Sequence, residues 1–327
     1  MKKYRIVKKY RIVKKYCLFI IALLAVTYSN GQGRKTELLD RLKSSLEQNN
    51  YGIQTTFYYP TEISINDYPV FRGLEFFGNT IPNFIDIAID KNGEQELKVL
   101  IDLTKYKKQG KPILEILLVK SAKGVSIISN KSDFPEENIL VNYQLSDDDI
   151  TQENIKNGYF LKTIKFKAKV PIELSTLNKS VQLTNSKELL DKLYNAVAKL
   201  TKGINDRDSN NVLEIIQSAE FEVAQLRGMK KEWMLTERKA LLSNTFTLLP
   251  KDSCEVKIYG NGTRATLVQK NLEIIKQSAI TSNFTKENYP KGRVVQFYNF
   301  YYNLPKGKQE LELIRFDGYA ITKYGKK

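Results

Sequence analysis

Two periodicities divide the chain. Between residues 34 and 178 apolar and polar positions mostly alternate; from about 186 to 242 apolar residues recur every three or four positions; after 250 alternation returns. Period two places side chains on opposite faces of a strand, and a spacing of three to four lines one face of a helix. The first stretch opens with an exception. Leu38, Leu39, Leu42 and Leu46 share a helical face over Thr36–Gln48, ended by Asn49-Asn50-Tyr51-Gly52. A strand is expected over Thr55–Tyr59, stopped by Pro60. Ile85, Ile87 and Ile89 alternate with Asp86 and Ala88, Asn92-Gly93 offers a turn, and Leu97, Val99, Ile101 and Leu103 alternate after it. Asn-Gly tolerates the positive φ angles of a type I′ turn, so this segment reads as a hairpin. Further strands are expected at Ile113–Lys120, Val125–Ser129, Ile139–Leu145 and Tyr159–Val170. In the last, Ile164, Phe166 and Ala168 face one way while Lys165, Lys167 and Lys169 face the other, as in an antiparallel sheet with one wet side.

A polar connector, Val181–Ser186, precedes the helical block. Leu189, Leu193, Ala196, Val197 and Leu200 predict one helix; Val212, Ile215, Ile216, Ala219, Val223 and Leu226 predict a second, broken by Gly228. A third, Lys230–Leu242, carries Trp233 and Met234, both expected in the core. Cys254–Tyr259 and Arg264–Gln269 read as strands joined at Asn261-Gly262. Thr266–Ala279 fits helix and strand alike. Arg293–Tyr302 and Gln309–Phe316 are expected strands, with Asp317-Gly318 turning the chain into Tyr319–Tyr324.

The pattern predicts an α+β chain of two domains. Residues 32–180 form a mostly antiparallel β domain with one N-terminal helix, and residues 181–327 form helices followed by a curved antiparallel sheet. The order of elements in residues 186–327 resembles the cone-shaped helix-plus-curved-sheet architecture of NTF2-like domains, with a cystatin-like arrangement as the alternative; no motif accompanies the resemblance. Both halves open alike, with Glu37-Leu38-Leu39-Asp40 and Glu188-Leu189-Leu190-Asp191. Duplication and coincidence between common helix formers both fit.

The first 31 residues change the picture of where the protein works. Eight lysines and arginines fall within the first 15 residues, an apolar run follows from Cys17 to about Tyr28, and Ser29-Asn30-Gly31 supplies small residues. That is the order of a secretory signal peptide, cleaved here near Gly31/Gln32. The run is shorter than the roughly 20 residues of a membrane span, so no stable span is expected after cleavage. The net charge of +16 divides accordingly. The leader holds eight basic and no acidic residues, residues 32–180 hold 20 of each, and residues 181–327 hold 24 basic and 16 acidic. The remaining bias suits an envelope glycan or an acidic protein surface, and the expected compartment argues against nucleic acid.

No histidine is present, and one cysteine, Cys254, remains beyond the leader. Histidine bases, histidine triads and histidine or cysteine-rich metal sites are thereby excluded. Asp206, Asp208 and Asn210 imitate the start of a calcium loop, but Asn211 stands where glycine should and Gln217 where glutamate should. Asp208 or Ser209 is therefore expected to cap the next helix. Asp147-Asp148-Asp149 reads as a solvated helix start. Cys254 shares a strand face with Val256 and Ile258 and reads as a small buried hydrophobe. Neither a metal nor a cofactor is expected. The aromatic run Phe297–Tyr302 either fills the space beneath the helices or contributes a ligand-binding strip drawn from Arg293, Tyr298, Tyr302, Tyr319, Lys323 and Tyr324. The sequence thus predicts an exported, non-catalytic binding or scaffold protein of the cell envelope. The alternative is a glycan hydrolase working through two carboxylates, which requires no histidine.

Overall fold

Alternation explains the first half of the chain. In the computed structural model, the described residues are 38–42, 49–74, 78–79, 83–89, 91–106, 111–122, 131–170, 179–271, 273–282 and 294–322. Residues 38–40 are helical; the rest of the Thr36–Gln48 expectation, and Val125–Ser129, lie outside the described residues. Strands β1 (Asn49–Phe57), β2 (Thr61–Ile65), β3 (Tyr68–Gly73), β4 (Gly78–Asn79), β5 (Asn83–Phe84), β6 (Gly93–Asp102), β7 (Leu114–Ala122) and β8 (Ile139–Gln144) are followed by a short helix α1 (Gln152–Asn157) and by β9 (Tyr159–Ala168). One sheet runs β4-β1-β7-β8, with β5 also on β1; the other runs β3-β2-β6-β9. Every pairing in them is antiparallel. Ile53 and Phe57 of β1, Leu114, Ile116 and Leu118 of β7, and Leu97, Val99 and Ile101 of β6 bury their side chains in a single core. Two sheets sharing one core make a sandwich.

The hairpin expected at Asn92-Gly93 does not form. β6 pairs with β2 and β9. Residues Asp86–Ala88 are a single turn of 3-10 helix. Ile85, Ala88 and Ile89 are buried there at helical spacing, which an alternating count over five residues cannot distinguish from a strand. Asn92 instead accepts the Val170 N–H at 2.8 Å, closing the end of the β6–β9 pair. A hairpin that the sequence reading passed over lies at Asn66-Asp67, where φ values of 50° and 62° give the two-residue turn between β2 and β3.

The helical block matches its periodicity. Helix α2 (Lys187–Asn205) buries Leu189, Leu193, Val197, Leu200 and Ile204, and Ser186 caps it by accepting the Leu189 N–H. In α3 (Ser209–Arg227), Asp208 accepts the Asn211 N–H, and Gly228 ends the helix in the left-handed conformation. Helix α4 (Lys231–Ser243) buries Met234 and Leu241 but leaves Trp233 67% exposed, contrary to expectation. Adjacent positions on a helix lie about 100° apart, so Met234 takes the core and Trp233 the surface. Strands β10 (Phe246–Leu248), β11 (Cys254–Tyr259), β12 (Arg264–Gln269), β13 (Ile280–Ser282), β14 (Val294–Asn303) and β15 (Glu312–Thr322) follow. Their order is β10-β13-β14-β12-β11, with β15 on β14. Asp317-Gly318 does not turn the chain: β15 runs through it, pairing Asp317 with Asn299 and Gly318 with Tyr298.

The fold is α+β, and each sheet is built from one side of residue 180. A second core joins α2, α3 and the C-terminal sheet. Tyr259, Tyr301 and Ile314 of that sheet, however, belong to the sandwich's core, and residues 43–327 form one compact unit. No helix among the described residues is long and apolar enough to cross a membrane.

Gly73 tests the sandwich packing. A Cβ there would lie 2.2 Å from Cζ of Phe57, whose ring is 5% exposed and packs edge-on against Phe71. Gly73→Ala should therefore destabilise the protein by about 1–3 kcal/mol, as overpacked cores do. Urea denaturation checks this, and an unchanged midpoint would mean that the Phe57 ring has room to move.

Candidate functional site

The Asn66-Asp67 turn decides where polar chemistry collects. It folds β3 back along β2 and brings Tyr68 and Arg72 against the C-terminal sheet. Arg72 Nε donates to Glu62 Oε2 at 2.6 Å, and its Nη2 donates to the Tyr259 hydroxyl at 3.0 Å. Lys257 reaches the other Glu62 oxygen at 3.5 Å. The Arg72 and Glu62 side chains are 3% and 7% exposed. Burial alone would raise the Glu62 carboxyl, but the Arg72 and Lys257 charges outweigh it and hold it below the usual carboxylate value.

Three aromatic rings close the junction. The Tyr68 and Tyr301 rings stand 4.7 Å apart and the Tyr259 and Tyr301 rings 5.8 Å apart. The Arg264 guanidinium lies 5.8 Å from the Tyr68 ring centre. The Tyr68 hydroxyl is buried with no hydrogen-bond partner among the described residues. On β15, Asp317 accepts from Asn299 Nδ2 at 2.9 Å and from the Tyr301 hydroxyl at 3.5 Å. Asp317 is half-buried, and the loss of water around its carboxyl pushes it up to about 6 against the pull of Arg72.

Beside this cluster opens a cleft of about 410 Å³. Its walls include Phe71 and Arg72 of β3, Phe84 of β5, Ile87 of the 3-10 turn, Arg227 at the end of α3, and Asp317. Phe84 is 44% exposed, and the Arg227 guanidinium lies 5.6 Å from its ring centre. Next to Ile87, Asp86 is buried, accepts the Tyr51 N–H at 3.1 Å, and is pushed by burial to about 7. A second cleft, of about 370 Å³, has Asp102 and Glu273 among its lining residues. Asp102 there accepts the Thr104 N–H at 2.9 Å and the Thr104 hydroxyl at 2.7 Å.

Of the strip expected from the sequence, Tyr302 is 1% exposed, in the core with the helices, its hydroxyl donating to the Ala196 carbonyl at 3.4 Å. It presents nothing to a ligand, which corrects the expectation for this residue. Tyr298 is half-buried: its ring packs 4.8 Å from Phe246, and its hydroxyl accepts from Asn244 Nδ2 at 3.2 Å. Tyr319 pairs with Phe297 through the backbone, while its side chain lies outside the described residues, as do Arg293, Lys323 and Tyr324. Cys254 is buried, and burial raises its thiol to about 11. Asp206 pairs with Lys202, and Asp147 with Lys111 at 2.5 Å.

No family model, curated protein or solved structure matches the chain.

The reading of the site therefore rests on its geometry. The junction cleft offers an exposed ring, the Arg227 guanidinium and one carboxyl, with the enclosed Arg72 side chain in its wall. Those groups recognise polar, partly apolar ligands. Asp317 has the raised carboxyl that a general acid needs, but no second carboxylate lines this cleft among the described residues.

The Asp317 carboxyl makes stability depend on pH. A carboxyl whose folded pKa exceeds its unfolded value holds its proton more tightly in the folded state. Its contribution is thus present at low pH and lost as pH rises from 3.8 through about 6. The charged groups around it are Arg72 on β3 and Glu62 on β2, and both persist in an Asp317→Asn variant. That variant should gain stability relative to wild type as pH rises from about 4 to 8, by about 2–3 kcal/mol at most. Thermal midpoints across that range decide it; a gap that stays constant or narrows contradicts the account.

Proposed function

We propose that this is an exported, non-catalytic binding module of the cell envelope, with its ligand seated in the cleft between β3 and β15. The observation that carries the reading is the exposed Phe84 ring, flanked by Arg227, in a cleft whose wall includes an Arg72 held by Glu62 and Tyr259. Side chains fixed by their own hydrogen bonds lose little entropy when a ligand arrives, which favours binding. The basic, apolar and small-residue order of residues 1–31 supports export.

A second reading is favoured by the other cleft. Asp102 and Glu273 both line it, as a carboxylate-dependent glycan hydrolase requires. Release of reducing ends from envelope polysaccharide, abolished by Asp102→Asn or Glu273→Gln, would establish that reading in place of the first.

The binding module makes two expectations. The exported protein should begin at or near Gln32 by N-terminal sequencing. It should also be retained on an insoluble envelope fraction, and Phe84→Ala should cut retention several-fold without changing its circular dichroism. An intact leader in the membrane fraction removes the export reading, and equal retention of the variant removes the cleft.

A further inference from the structure

We propose that the junction cleft takes an acidic sugar, a hexuronate unit of a glycan, with the carboxylate on Arg227, the apolar ring face on Phe84, and a hydroxyl on Asp317. This rests on the preceding reading of the cleft as a ligand site and names the class of ligand.

The argument begins with the groups already committed. Arg72 is held by Glu62 and Tyr259, so it fixes the inner wall. Arg227 approaches from a different element, the end of α3, and lies against a ring that still keeps 44% of its surface open. A guanidinium in that position presents a planar fork of donors, the geometry that carboxylates match in bidentate fashion. An open aromatic face accommodates the C–H face of a sugar ring.

The remaining polar group suits a sugar hydroxyl. Asp317 accepts hydrogen bonds, and a hydroxyl can donate to it. Tyr68 lines the same cleft, with its hydroxyl closed off behind the wall. Asp317 shares the lining with Arg227, and its negative charge repels a dianionic phosphate more than a singly charged carboxylate. A singly charged carboxylate on a ring with hydroxyls meets donors and acceptors in the proportion the cleft offers. An acidic peptide would use the arginines but leave the ring face and the Asp317 acceptor idle. The cleft volume, about 410 Å³, falls within the roughly 300–1,000 Å³ of small-ligand sites and fits a short stretch of chain.

The experiment is calorimetric titration of the purified protein with trigalacturonate, neutral galactotriose and triglutamate. Trigalacturonate should bind, at least tenfold more tightly than galactotriose, and less tightly in high salt. Arg227→Gln should weaken trigalacturonate at least tenfold, and Phe84→Ala should weaken both sugars. Lys165→Gln, on the exposed face of β9, should change nothing. Equal binding of the neutral trimer, or full affinity in Arg227→Gln, overturns the acidic-sugar assignment while leaving a sugar-binding cleft in place. Triglutamate binding with the same Arg227 dependence, and no binding of either sugar, makes the occupant a peptide and overturns it too. If the protein is retained on the envelope fraction through Phe84 yet binds none of the three probes, the ligand class is wrong and the binding module stands. If retention also fails, the module itself falls.

Discussion

Tyr301 and Tyr302 are neighbours in β14, and they are buried in different cores. Successive side chains on a strand point to opposite faces, so both faces of β14 must be covered. Helices α2 and α3 cover one, with Phe300 and Tyr302 beneath them. The sandwich covers the other, where Tyr301 meets Tyr68. A bulge between Tyr301 and Tyr302 shifts the β14–β15 register at this point, and bulges bend and twist a strand. The six-stranded sheet is thus a middle layer between helices and sandwich. Much of the polar chemistry at the junction follows from that arrangement. A sheet face turned towards another β structure brings its polar side chains out of water, and each then needs a protein partner.

The partners found are ionic. Glu62 serves Arg72 and Lys257 at once, from the two sides of the junction, and Arg315 Nη1 donates to Glu222 at 3.0 Å. Enclosed ion pairs give little net stability, because desolvation offsets most of the attraction. Removing one member is different, since it strands the other charge and costs about 3–5 kcal/mol. Such a cluster therefore fixes how the sheet sits against the sandwich more than it strengthens the contact. It also fixes Arg72 in the cleft wall, so the group that specifies the packing is the group that pre-positions the site. Arg315 Nε and Nη2 remain buried without partners among the described residues, a polar surplus at the same junction.

This explains what could be read from the residues and what could not. The helices were legible because their apolar stripes run over many turns and their ends carry local signals, Ser186, Asp208 and Gly228. The β11–β12 hairpin was legible for the same local reason, its Asn261 and Gly262 both having positive φ. Ile85–Ile89 was misread because five residues are too few to separate two periods. The aromatic run left core and binding strip both open, because alternation puts its rings on two faces of the strand and cannot show that both faces are covered. The cleft was not legible at all. Phe71, Phe84, Arg227 and Asp317 come from four elements spread over nearly 250 positions, and no local spacing joins them. The one available signal was the Ile63/Ile65 alternation followed by Asn66-Asp67, which would have placed a hairpin, and hence Arg72, on a sheet edge.

Gly318 shows how the same constraint makes both the misreading and the cleft. Asp-Gly usually signals a turn because glycine tolerates positive φ. Here glycine eases a close approach instead. Its cross-strand neighbour is Tyr298, and a Cβ at Gly318 would stand 3.1 Å from that ring. A strand glycine marks a close approach, in this case the ring of Tyr298 lying across the backbone. Gly318 is exposed and lines the cleft beside Asp317. A side chain at this position would therefore crowd Tyr298, which packs on Phe246 and bonds Asn244, or occupy space in the cleft. A bare Gly318 thus spares the Tyr298 ring while β15 carries its ladder past Asp317, which lines the cleft beside it.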